Sequence, residues 1–101
     1  MDRFGILAIL EAKPGKEQEV AEFLKSARAL VLQEVGTSTW FAFQTGPASF
    51  GIFDTFADEA GRNAHLTGEI AKALFAKAEE LFARAPEIDK PEILAAKVPK
   101  A

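Results

Sequence analysis

With 101 residues the chain has room for a single domain, read here as residues 1–101, because single domains hold roughly 100 to 150 residues. Twelve Lys and Arg against fifteen Asp and Glu give a net charge of −3, which lacks the basic footprint of a phosphate-backbone binder and excludes nucleic acid as an expected partner. The absence of cysteine and the single histidine exclude disulfides, thiolate nucleophiles and multi-histidine metal cages, so no built-in metal is expected.

Phe4 to Leu10 reads as the first strand, with apolar residues on both parities (Phe4, Ile6, Ala8 and Leu10; Leu7 and Ile9). This run is far shorter than a signal-peptide core or a membrane span of roughly 20 residues, so a cytoplasmic protein without a membrane partner is expected. Lys13-Pro14-Gly15 is turn chemistry, and Val20, Phe23, Leu24, Ala27, Leu30 and Val31 then recur at helical spacing, predicting a helix from Lys16 to about Glu34. Gly36 stands where a left-handed C-terminal cap is expected. Ser38 to Gln44 and Ser49 to Phe56 read as a hairpin around Thr45-Gly46-Pro47-Ala48.

Asp58, alone or with Thr55, can start a second helix through Ala64-His65-Leu66, interrupted at Thr67-Gly68 and resumed from Glu69 to Arg84 before Pro86. A last strand is placed at Glu92 to Val98, between Pro91 and Pro99. The order is βαββαβ, an α+β ferredoxin-like arrangement with an antiparallel sheet. Two helices cover one face of such a sheet, yet the strands are apolar on both parities, so a homodimer packed sheet to sheet is expected.

On this fold Ser49-Phe50-Gly51-Ile52-Phe53-Asp54-Thr55-Phe56 invites comparison with the aromatic motif of RNA recognition modules. The comparison fails, because Ala48 replaces the opening basic residue, the last aromatic is out of register and Asp54 repels phosphate.

Lys13-Pro14-Gly15-Lys16 before a helix, Gly36-Thr37 before a strand containing Trp40, and Ile52-Phe53-Asp54-Thr55-Phe56-Ala57-Asp58-Glu59-Ala60 leading to Ala64-His65-Leu66 resemble the antibiotic biosynthesis monooxygenase family, over roughly Ile6 to Val98. The resemblance implies a dimeric α+β barrel with a hydrophobic cavity between sheet and helices, often free of metal and flavin. Some relatives oxidise phenols or quinols with O2 and others degrade haem. The haem-degrading branch relies on an asparagine in the first strand and a later histidine in helix two, and neither is present here.

His65 either faces the cavity, where it accepts a proton from a phenol or quinol, or satisfies the last carbonyls of its helical segment. Asp54, a carboxylate in an apolar strand, either orients His65 as a second catalytic residue or bonds Arg62 and the start of helix two. Trp40, Phe41, Phe43, Ile52, Leu66 and Phe75 are the candidate substrate-binding residues, with core packing as the alternative. The simplest hairpin register puts Phe41 and Phe43 on the Asp54 face, and leaves Trp40, Ala42, Gly51 and Phe53 on the other, where Ala42 and Gly51 allow close sheet contact; a slip of one residue exchanges every assignment. The expected function is a cofactor-independent monooxygenase acting on a small aromatic, phenolic or quinol-like molecule. A non-catalytic dimer that binds an apolar metabolite is the alternative.

Overall fold

The computed structural model describes residues 2–99. In chain order it comprises β1 (Phe4–Glu11), α1 (Glu17–Val31), β2 (Thr37–Gln44), β3 (Ser49–Phe56), α2 (Glu59–Leu66), α3 (Glu69–Leu81) and β4 (Glu87–Asp89). The strands form one antiparallel sheet in the order β2-β3-β1-β4, the ferredoxin-like arrangement. Among the described residues no helix is long and apolar enough to cross a membrane.

Alternation decides which face is covered. Ile6, Ala8 and Leu10 of β1 and Phe50, Ile52 and Phe56 of β3 point to the same side and are buried against Val20, Leu24 and Ala27 of α1 and Ile70, Leu74 and Leu81 of α3. The other parity carries Leu7, Ile9, Phe41, Phe43 and Phe53, and on this face Phe41 remains 60% exposed.

The hairpin takes the slipped register. Trp40 pairs with Asp54 and Ala42 with Ile52, so these four share the helix-covered face, while Phe41 pairs with Phe53 and Phe43 with Gly51 on the open one. The cause lies in the turn: the Ser49 carbonyl accepts from both Thr45 and Gly46 N–H, which takes Thr45 out of the loop, sets it opposite Ser49 and moves β2 by one residue relative to the simplest pairing. Gly51 therefore does not face Ala42. The Phe43 ring lies over it, so near that a Cβ on Gly51 would overlap the ring carbon Cζ.

The fourth strand is Glu87–Asp89, not Glu92 to Val98. Ile88 pairs with Ala8 ahead of Pro91, and the chain then follows β1 through a Phe4–Glu92 bridge closed by hydrogen bonds from Gly5 N–H to the Pro91 carbonyl and from Ile93 N–H to the Arg3 carbonyl. α3 also ends early, at Leu81, because Phe82 is extended, buried and bridged to Ala12. Among the described residues Gly15 is the glycine with positive φ, at 86°, so Gly36 is not a left-handed cap. Its small size serves another contact: a Cβ on Gly36 would lie 3.0 Å from the Cα of Gly61, and one on Gly61 would lie 2.8 Å from the Gly36 carbonyl oxygen.

Candidate active site

The Gly36–Gly61 contact brings the segment after α1 against α2 and sets Glu34 beside His65. α2 begins where the Asp58 carboxylate accepts from Gly61 N–H at 2.8 Å, and its single buried residue is His65. The imidazole sits between two carboxylates. Nδ1 stands 2.5 Å from Glu34 Oε1, and Nε2 stands 2.8 Å from Asp54 Oδ2.

The two contacts differ in quality. Glu34 makes a directed hydrogen bond to the ring and also accepts from the Thr37 hydroxyl at 2.8 Å. The Asp54 contact is an ion pair by distance but poorly directed, and neither Asp54 oxygen has a well-formed hydrogen bond although the residue is 0% exposed. Across the strand pair, the indole N–H of Trp40 is also buried without a partner. Phe56 closes one side of the imidazole, its ring centroid 5.4 Å away.

Burial of His65 disfavours the charged ring and alone would lower its pKa. The close contact and charge of Asp54 and the hydrogen bond and charge of Glu34 outweigh that cost and raise the pKa above its ordinary 6.5. The two acids therefore favour the protonated ring of His65 more than water does a free imidazole.

This cluster borders a cleft of about 490 Å³ whose lining includes Leu30, Glu34, Val35, Ala64, His65 and Glu69. The volume falls within the range of small-molecule sites, roughly 300 to 1,000 Å³. Glu34 and His65 face the cleft, and Asp54 lies on the inner side of the ring. Among the described residues no group of three or more His, Cys, Asp or Glu is arranged to hold a metal ion.

The structure brings Asp54 and His65 together, and Arg62 takes Glu59 as its acidic neighbour instead, at 3.6 Å. Trp40 lies opposite Asp54 and borders the groove between α1 and β2. Ile52 is buried in the core, and Leu66 is half-buried beside His65 but does not line the cleft. Phe41 and Phe43 are on the opposite side of the sheet, and Phe75 on α3 is 54% exposed. The lining of the cleft thus includes none of these six and is more polar than the aromatic set predicted for it.

Glu34 escaped the sequence reading because it looked like the end of an amphipathic helix. A clue was present: a glutamate near a helix C-terminus opposes the macrodipole and calls for another partner.

Neither a protein-family model nor a curated protein matches the chain. Among solved structures, a Nitrosomonas europaea protein of unknown function is 52% identical, with a TM-score of 0.96 over 100% of this chain and 98% of that one. The chain belongs to the same family as that protein. Its fold is that of the antibiotic biosynthesis monooxygenase-like proteins. A second Nitrosomonas europaea protein, provisionally described as an antibiotic biosynthesis monooxygenase, superposes with a TM-score of 0.81 at 13% identity over 91% of this chain and 99% of that one. A Bacteroides thetaiotaomicron protein of unknown function, described as a possible oxidoreductase, gives 0.77 at 17% identity over 91% and 98%. At such identities these two share the fold alone, and chemistry must be argued from the site.

Proposed function

We propose that the protein is a small monooxygenase that needs no bound cofactor and oxidises a phenolic or quinol substrate with O2 in the cleft beside His65. The Glu34–His65–Asp54 line at the cleft wall carries this reading, because it offers a cleft-facing carboxylate backed by a buried imidazole that a second acid holds from behind.

In this proposal the substrate hydroxyl approaches Glu34, which takes its proton. His65 donates a hydrogen bond to that carboxylate and passes charge along the line, while Asp54 holds the ring from behind. The anion left in the cleft gives up an electron to O2 more readily than the neutral hydroxyl compound. One oxygen atom then enters the product and the other leaves as water, with all four electrons drawn from the substrate. Relative to the sequence expectation, His65 acts through Glu34 and not as a free base, since both of its nitrogens face acids.

In the same reading a second copy of the chain covers the open face carrying Leu7, Ile9, Phe41, Phe43 and Phe53, and encloses the protein as a homodimer. The engagement of both imidazole nitrogens favours one alternative, a dimer that binds an apolar metabolite without turnover.

Oxygen uptake by metal-free protein with a panel of quinols and phenols, corrected for spontaneous oxidation, tests the proposal. Saturable uptake is expected, falling on the order of 100-fold in Glu34→Gln and in His65→Ala. Uptake equal to wild type in both variants would remove the cluster from the mechanism, and ligand binding without uptake would establish the non-catalytic alternative.

A further inference from the structure

A second concavity meets the His65 cleft only at Glu34 and Thr37. β2 is an edge strand, and between it and α1 runs a groove with two lobes that share Arg28, Trp40 and Ala42. One lobe, of about 340 Å³, has an apolar floor of Leu24, Trp40, Ala42 and Phe50, with Lys25 and Arg28 at its rim. The other, of about 410 Å³, is bordered by Glu34 and by the hydroxyl residues Thr37, Ser38 and Thr39.

The charges in the first lobe are of one sign. Lys25 is 3.7 Å from Glu22, whereas Arg28 has no acidic side chain within ion-pair distance among the described residues. Arg28 is exposed and so is not held there by packing. Glu34 at the far lobe disfavours an anion at that end and leaves the Lys25 side as the one where negative charge is welcome. An apolar floor beneath an uncompensated guanidinium matches a molecule with a carboxylate at one end and a hydrocarbon or aromatic body at the other.

We propose that the α1–β2 groove binds a small amphipathic carboxylate, with Arg28 holding the head group and Leu24, Trp40, Ala42 and Phe50 taking the apolar body. The Lys25 lobe shares no lining residue with the His65 cleft and is of opposite charge, since the cleft lining includes Glu34 and Glu69 and no Lys or Arg.

Trp40 is the chain's single tryptophan and forms part of the floor, so its fluorescence reports on occupancy directly. The probe is decanoate below its micelle concentration, compared with decanol and decyltrimethylammonium. Decanoate is expected to change Trp40 emission saturably and to bind about tenfold more weakly in Arg28→Gln, with Arg28→Lys keeping most of the affinity. The decyltrimethylammonium ion is expected to show no saturable change. Equal binding of decanol and decanoate, unchanged affinity in Arg28→Gln, or no saturable response to decanoate would overturn the proposal. Arg28 takes no part in the His65 cluster, so oxygen uptake stays at the wild-type level in Arg28→Gln, and failure here is distinguishable from failure of the monooxygenase reading.

Discussion

The behaviour of His65 follows from two opposing effects whose balance the geometry decides. Burial alone would favour a neutral ring, and a neutral ring between Glu34 and Asp54 would leave two acids repelling one another around it. Contact with both acids wins and raises the pKa above 6.5. The sign for stability is then fixed. A group whose pKa is higher in the folded state contributes fully below its unfolded value and loses that contribution as pH rises through its folded value. The urea midpoint of the wild-type protein should therefore fall as pH is raised upward from about 6.5, and His65→Ala should lack that component. His65 is the single histidine, so its ring C–H resonance gives the titration without assignment ambiguity. A midpoint above 6.5 that drops in Glu34→Gln is expected, and a midpoint at or below 6.5 would contradict the two-acid environment. His65→Ala should also cost about 3 to 5 kcal/mol in urea unfolding, because it strands the fully buried Asp54.

At the scale of elements, the cluster depends on a backbone crossing more than on side chains. Gly36 and Gly61 let the chain after α1 touch α2, and this contact sets Glu34 against the imidazole. Gly61→Ala places a methyl group 2.8 Å from a carbonyl oxygen, a contact that backbone must relieve by moving. A loss of about 1 to 3 kcal/mol is expected from thermal or chemical unfolding, together with a lower His65 pKa as Glu34 is displaced. A Gly61→Ala protein with unaltered stability and unaltered His65 titration would show that the crossing does not position the site. Much of this architecture was legible from sequence: β1 from its apolar run, α1 from its spacing and the break of the second helix at Thr67-Gly68 from its turn residues. The parts that escaped are governed by non-local contacts. Thr45 leaves the turn to bond the Ser49 carbonyl, and that single residue moves Trp40 to the Asp54 face and Phe41 and Phe43 away from it. Likewise β4 is chosen by pairing of Ile88 with Ala8, which no local pattern around Pro91 reveals. For the site, Asp54 and His65 stood out as a carboxylate in an apolar strand and a lone imidazole, whereas Glu34 resembled any other surface glutamate until the fold placed it.

At the scale of the molecule, the open sheet face is the unresolved free-energy problem of a single copy. Leu7, Ile9 and Phe53 are half-buried there, with Phe41 and Phe43 more exposed beside them, a continuous apolar patch flanking the strand pair that carries Asp54. In the proposed dimer this face is covered, and sedimentation equilibrium at micromolar concentration should give twice the chain mass. Phe41→Asp should shift the equilibrium to single copies, because it places a charge in the middle of the contact. A wild-type protein that sediments as one copy would remove the sheet-to-sheet dimer. The dimer and the chemistry are separable, since the Glu34–His65–Asp54 line is built within one chain on the opposite face.

The most direct test of the monooxygenase reading is mass spectrometry of the products formed from the quinol and phenol panel under ¹⁸O2. The account predicts protein-dependent product carrying one labelled oxygen, with the second label recovered in water. Unlabelled product with accumulating hydrogen peroxide, or no protein-dependent product at all, would contradict it.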